Sequence, residues 1–348
     1  MISIEIAGCR SFRLARCASA VLLGALALVT PGLQPATAQP LLQQCWTPAS
    51  LASRPDEKPP RRGVKGSSQS IPEQALHRFE PVPQAMRGAI RRVHLPRGVK
   101  LVALTFDMCE QFGEVAGYDG AIVKELRARN VPATFFLGGK WVMTHAERAR
   151  QLMADPRFEM GNHGWAHRNV RGLSGKALAE EVTAPQRAYE FVRASLARRQ
   201  CARQNGDAMA RVAPRLGLYR FPYGACSPQA LDALSENGLL AIQWDVSAGD
   251  ATRSSSPAVI AQNVIGSVRP GSIVLLHANG RGYNTAAALP VIINKLRARG
   301  YRFVTVGELL AVGRPDIKPI CYDHRPGDTD RYDRLFRRPA GKADATRN

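Results

Sequence analysis

Between residues 101 and 306 the chain repeatedly exchanges short apolar runs for amphipathic stretches, and nothing else in it limits the fold so strongly. Runs at 101–106, 133–137, 158–160, 218–221, 239–244, 273–276 and 303–306 have strand length. Between them, 120–129, 146–153, 176–199, 228–237, 257–268 and 285–299 carry apolar residues at helical spacing. Asp119 and Ser227 stand where side-chain oxygens cap helix starts, and Pro228 suits a first helical position. Strands apolar on both faces need cover on both, which helices crossing between parallel strands provide. The pattern predicts an α/β fold: a distorted (β/α) barrel of about seven parallel strands.

The flanks read differently. Residues 39–97 hold Pro59-Pro60-Arg61-Arg62 and Lys65-Gly66-Ser67-Ser68 with no sustained hydrophobic period, an irregular basic arm with one short helix near Gln74 to His77. Residues 314–348 mix Arg with Asp and read as a C-terminal tail, leaving 98–313 as the domain that holds the alternating strands and helices. At the start, Arg10, Arg13 and Arg16 precede an apolar run over 18–29 and then Ala36-Thr37-Ala38. That order marks residues 1–38 as a cleavable secretory signal, with an apolar run too short to span a bilayer. The expected location is periplasmic or secreted, with no transmembrane segment after cleavage. The segment 197–216 reads as a surface insertion, the other reading being part of the lining of a binding groove.

Composition narrows the partners. At 45% hydrophobic and 22% charged residues the chain has enough apolar side chain for a core. Lys and Arg number 48 against 28 acids, a net charge of +20, and removing residues 1–38 takes away three Arg and one Glu to leave +18. Such a charge favours electrostatic contact with an anionic envelope polymer. Nucleic acid is disfavoured by the export signal and by the lack of a basic helix interleaved with aromatics.

In parallel barrels, polar residues just past the strand ends face the active site. Those positions hold Asp107, the pair His163 and His167, Arg220 with Tyr223, Asp245 with Asp250, and His277. Two histidines at i and i+4 lie on one side of a helical turn and can hold one metal ion. Three of the chain's seven histidines thus gather at one end of the expected barrel.

Over about 100–312 the chain resembles the polysaccharide deacetylases of the NodB-homology type, carbohydrate esterase family four. Leu104-Thr105-Phe106-Asp107 is similar to the first family motif, which makes Asp107 the general base. His163 and His167 match the metal-binding pair, and Arg220-Phe221-Pro222-Tyr223-Gly224 resembles the motif whose Arg orients the base and whose Tyr amide holds the oxyanion. Asp250 then tunes the acid and His277 is that acid. The resemblance implies an exported hydrolase dependent on a divalent metal, zinc above others, that removes N-acetyl groups from amino sugars of a polysaccharide or oligosaccharide. The alternative is a catalytically impaired, glycan-binding barrel of the same family.

Two positions depart from the family pattern. Met108 stands where the family has a second, metal-binding Asp, and Ala251 follows Asp250 in place of Trp. A neutral thioether is a poor substitute for carboxylate. If Arg220 touches Asp107 as the family implies, Cys109 and Cys226 come onto neighbouring loops and a Cys109–Cys226 disulfide is expected. Cys45 with Cys321 would form a second bridge and Cys201 would stay free. With Cys109 so engaged, Glu110 is the expected third metal ligand beside His163 and His167, a two-histidine site completed by water being next.

Overall fold

The computed structural model describes residues 40–63, 70–73, 76–77 and 79–336. The expected export signal at 1–38, the start of the short helix expected near Gln74 and the end of the C-terminal tail lie outside these residues, and Leu76 and His77, where that helix is expected to end, are not helical.

A ten-stranded sheet organises the molecule. Its order is Arg314–Lys318, Ala89–His94, Leu240–Ile242, Leu218–Tyr219, Phe158–Asn162, Ala133–Leu137, Leu101–Met108, Ile273–His277 and Val246–Ser247, with Arg302–Phe303 also paired to Leu101–Met108. All pairings are parallel except the antiparallel edge strand Arg314–Lys318. The sheet curls until Ala89–His94 meets the residues just before Ile273, through an antiparallel bridge between Arg92 and Ser272. The curled, mostly parallel sheet is the distorted barrel that the sequence predicts.

All seven expected strands and six expected helices form, the helices as Gly120–Ala128, Ala146–Met153, Gly175–Ala197, Pro228–Glu236, Pro257–Ser267 and Thr285–Ala298. Asp119 accepts from Ala121 N at 3.2 Å and Ser227 accepts from Ala230 N at 3.2 Å, so both read caps are real. The differences lie in the flanks. Ala89–His94 and Arg314–Lys318, read as arm and tail, are strands of the sheet. Leu41, Leu42 and Trp46 of the arm are buried in the main core. Both elements are short, and a strand of five or six residues carries too little periodic signal to stand out from a basic stretch.

Period two along Leu101–Met108 divides its side chains between two environments. Val102, Leu104, Phe106 and Met108 enter the core under the helices, while Leu101 and Ala103 enter the cluster inside the curl. Thr105 and Asp107 continue that inner row. Ile273–His277 repeats the scheme: Val274 and Leu276 lie outside, Ile273 and Leu275 inside. Parallel register sets His277 beside Asp107.

Candidate active site and metal centre

Arg220 is the centre of the inner face. Its side chain is wholly buried, with Nη1 donating to Thr105 Oγ1 at 2.7 Å and to Asp107 Oδ1 at 2.9 Å. Nε and Nη2 donate to the carbonyls of Ile242 and Gln243, and the guanidinium lies 4.0 Å from the centre of the Phe136 ring. A buried charge held at this many points is fixed in place. Asp107 Oδ2 lies 3.4 Å from His163 Nε2. Burial favours the neutral acid, but His163, Arg220 and His277 outweigh it and hold the Asp107 carboxyl below its usual value.

The two histidines are not on a helical turn, contrary to what their spacing suggests. They sit in a loop after Phe158–Asn162 in which Gly164 (φ 73) and His167 (φ 55) are both left-handed. Glu181 holds this loop by accepting from Trp165 N at 2.7 Å. His163 Nδ1 faces the carbonyl of Arg220 at 2.9 Å. A carbonyl only accepts, so Nδ1 carries the proton and Nε2 presents a lone pair. Burial lowers the basicity of both rings, that of His167 strongly.

His163 Nε2 and His167 Nδ1 are buried with no hydrogen-bond partner. Ligand atoms of Cys109, His163 and His167 all lie within 4.8 Å of one another, the one such cluster among the described residues. Two orphaned imidazole nitrogens beside a sulfur suit zinc in donor type. Burial pushes the Cys109 thiol up to about 12, and a bound cation would reverse that, since a coordinating thiol loses its proton. Asn279 Nδ2 donates to Cys109 Sγ at 3.1 Å and to Cys109 O at 2.8 Å, orienting the sulfur.

Glu110 does not join this group. Its carboxylate is buried in a separate cluster, accepting from Lys140 Nζ at 2.7 Å, Thr144 Oγ1 at 2.8 Å and Ala116 N at 3.0 Å. The expected disulfides are also overturned: the bridges are Cys45–Cys201 and Cys226–Cys321, and Cys109 is the free thiol. Freeing Cys109 removes the reason for passing over it as a ligand. Met108 is buried in the core behind the strand, on the far face from Asp107.

Across the cavity, His277 Nδ1 lies 2.9 Å from Asp250 Oδ1, and its backbone N donates to Asp250 Oδ2 at 2.8 Å. Burial opposes the charged ring, but the Asp250 carboxylate outweighs it and raises the His277 pKa above its usual value. Thr285 Oγ1, which the sequence reading missed, donates to Asp250 Oδ2 at 2.6 Å and steadies the aspartate beside Ala251. Asp245 instead caps the sheet, accepting from Ile273 N at 2.9 Å. Tyr223 is left-handed (φ 61) in the turn Pro222–Gly224, and His167 packs edge-on against its ring at 4.3 Å. A non-glycine residue in that region costs on the order of 1 to 3 kcal/mol, so the surrounding packing imposes it. Asp107, Cys109, His167, Tyr223, Asp250 and His277 line one cavity of 330 Å³. A second, of 660 Å³, adjoins it across Gln111, His167 and Tyr223.

The sequence profile described as "Polysaccharide deacetylase" matches residues 94–242, and over this stretch the chain is similar to that family. His277 and Asp250 lie beyond the matched stretch but complete the same cavity. Among curated proteins, the peptidoglycan-N-acetylglucosamine deacetylase PgdA of Listeria monocytogenes is 25% identical over 262 residues, covering 75% of this chain and 48% of its own. The chain therefore spans about half the length of that relative. A chitooligosaccharide deacetylase of Azorhizobium caulinodans is 28% identical over 193 residues, 52% of this chain and 82% of its own. Among solved structures, a carbohydrate esterase family four pseudoenzyme from Bacillus anthracis matches with TM-score 0.53 and 27% identity, covering 66% of this chain and 72% of that one.

Proposed function

We propose that this protein is an exported, metal-dependent hydrolase that removes acetyl groups from N-acetylated amino sugars of a polysaccharide or oligosaccharide. The observation that carries the proposal is the meeting, in one cavity, of a carboxylate kept ionised by Arg220 and a histidine kept protonated by Asp250. Two titratable groups driven apart in this way make a base and an acid. Cys109, His163 and His167 would hold the metal, zinc by donor type, which lowers the pKa of its water and polarises a carbonyl.

Asp107 would take the proton from the attacking water while Arg220 keeps the carboxylate aimed. The Tyr223 N–H, presented by its left-handed turn, would donate to the acetyl oxygen as negative charge grows there. His277 would pass its proton to the sugar nitrogen as the C–N bond breaks, leaving acetate and a free amine. Asp250 on Nδ1 leaves Nε2 as the donor atom.

Two disulfides fit an oxidising compartment, and no described helix is long and apolar enough to cross a membrane. The net charge of +20 supports contact with an anionic envelope polymer as a further partner.

The test is acetate release from N-acetylchitooligosaccharides and peptidoglycan strands by zinc-loaded protein. Asp107→Asn and His277→Ala should each lose roughly 10²–10⁴ in rate, the usual worth of a positioned acid or base. The impaired, glycan-binding reading is favoured by Met108 in place of the second aspartate. It prevails if the wild type binds these glycans and releases no acetate.

A further inference from the structure

Residues 320–336 cross the mouth of the cavity. Asp323, Arg331 and Tyr332 line it together with Asp107 and His277. Anchors from four parts of the barrel hold this segment. Cys321 is bridged to Cys226, three residues past Tyr223. Trp244 Nε1 donates to Asp323 Oδ1 at 2.9 Å, and Arg91 Nη2 donates to Asp323 O at 2.7 Å. Arg171 pairs with Asp330 at 2.7 Å and with Asp333 at 2.9 Å. The Tyr332 ring lies 4.8 Å from that of Tyr223.

The charges along this wall are not alike. Arg220 is paired with Asp107, Arg281 with Glu114 and Arg171 with Asp330 and Asp333. Arg331 lines the same cavity, stacked 4.8 Å from the Tyr332 ring and donating to Tyr332 OH at 3.1 Å. Among the described residues no carboxylate lies within ion-pairing distance of it. A guanidinium braced on an aromatic ring keeps its remaining N–H groups in a fixed fork, the geometry that takes a carboxylate in two hydrogen bonds.

We propose that the segment 320–336 is a wall of the substrate site and that its Arg331 selects glycans bearing a carboxylate next to the N-acetylated sugar. This rests on the deacetylase reading and names its substrate class. The acid has two sources, a lactyl ether whose carboxyl carries no peptide or a neighbouring uronic acid.

Calorimetric binding separates this from the question of turnover. The probes are peptidoglycan glycan strands stripped of their stem peptides so that the lactyl carboxyls are free, an N-acetylated uronate-containing oligosaccharide, each of these with its carboxyls reduced to alcohols, and a neutral chitooligosaccharide. The zinc-loaded wild type should bind one acidic probe at least about tenfold more tightly than its reduced form, the low end for a hydrogen bond to a charged group. Arg331→Ala should bring that ratio close to one, and Arg331→Lys should keep part of it. Whichever acidic probe shows the ratio identifies the source. Arg331 is exposed, so its replacement leaves the fold intact. Equal binding of acidic and reduced probes by the wild type overturns the proposal, as does a ratio that Arg331→Ala does not change. Absence of acetate release with the ratio intact would count against the deacetylase reading alone.

Discussion

At the level of single residues the site turns on which side of one strand each side chain faces. Thr105 and Asp107 bond Arg220, and the next inward position is Cys109. Met108 and Glu110 point the other way, into core and into the Lys140 cluster. Alternation along an eight-residue apolar strand was visible in the sequence and would have excluded Glu110. The assumed Cys109–Cys226 bridge hid it, because disulfide partners depend on how distant segments meet and local pattern does not carry that. Asp107, Arg220, Tyr223 and His277 were legible because strand ends in a parallel barrel converge. Thr285 and Asn279 left no signal, being ordinary polar residues whose importance is only their position. Cys109→Ser should weaken zinc binding on the order of 10–100-fold or more by chelator competition, while Glu110→Gln leaves it close to wild type. In a cobalt-loaded protein, a sulfur-to-metal charge-transfer band should be present in the wild type and lost in Cys109→Ser. Asp250→Asn should remove the charge that raises the His277 pKa. With protonated His277 as the acid of the proposed mechanism, the alkaline limb of the kcat/KM profile should move to lower pH in the variant.

Among the elements, the histidine loop is the part least like its sequence expectation. Spacing of four suggested a helical turn, and the chain instead uses two left-handed residues to swing His167 back over Tyr223. Gly164 accounts for that path: a Cβ there would lie 2.9 Å from Glu181 Oε2, at φ +73. Gly164→Ala should lower stability by about 1–2 kcal/mol from the left-handed backbone alone. Urea unfolding measures that loss, and zinc affinity should fall with it because both histidines ride on the loop. Helices and inner strands were legible from period and caps. The strand Ala89–His94 and the edge strand Arg314–Lys318 beside it were not, because both are short and their basic residues mask the strand pattern.

Taken as a whole, the molecule is sensitive to acid through a group remote from catalysis. His145 is stacked on Trp141 at 5.0 Å, and burial lowers its pKa to about 4. In the unfolded chain the same ring protonates near 6.5. As pH falls from 6.5 towards 4 the unfolded state gains a proton that the folded state refuses, so stability drops across that window and levels below it. Urea titrations should show a loss of about 3 kcal/mol from this residue, absent in His145→Gln. The two bridges tie both flanks to the barrel: Cys45–Cys201 spans 156 positions and Cys226–Cys321 spans 95. Their order along the chain has a consequence for biogenesis. A polypeptide threaded amino end first into an oxidising compartment presents Cys45 and then Cys109, long before Cys201 arrives. The first pair to meet is therefore the wrong one, and it would consume the thiol beside the two histidines. If the chain is exported and residues 1–38 are removed with their two cysteines, correct maturation would call for an isomerase that reshuffles bridges as well as an oxidase. Yield of oxidised protein should fall in a host lacking disulfide isomerase and recover in Cys109→Ala, which has no early partner to offer.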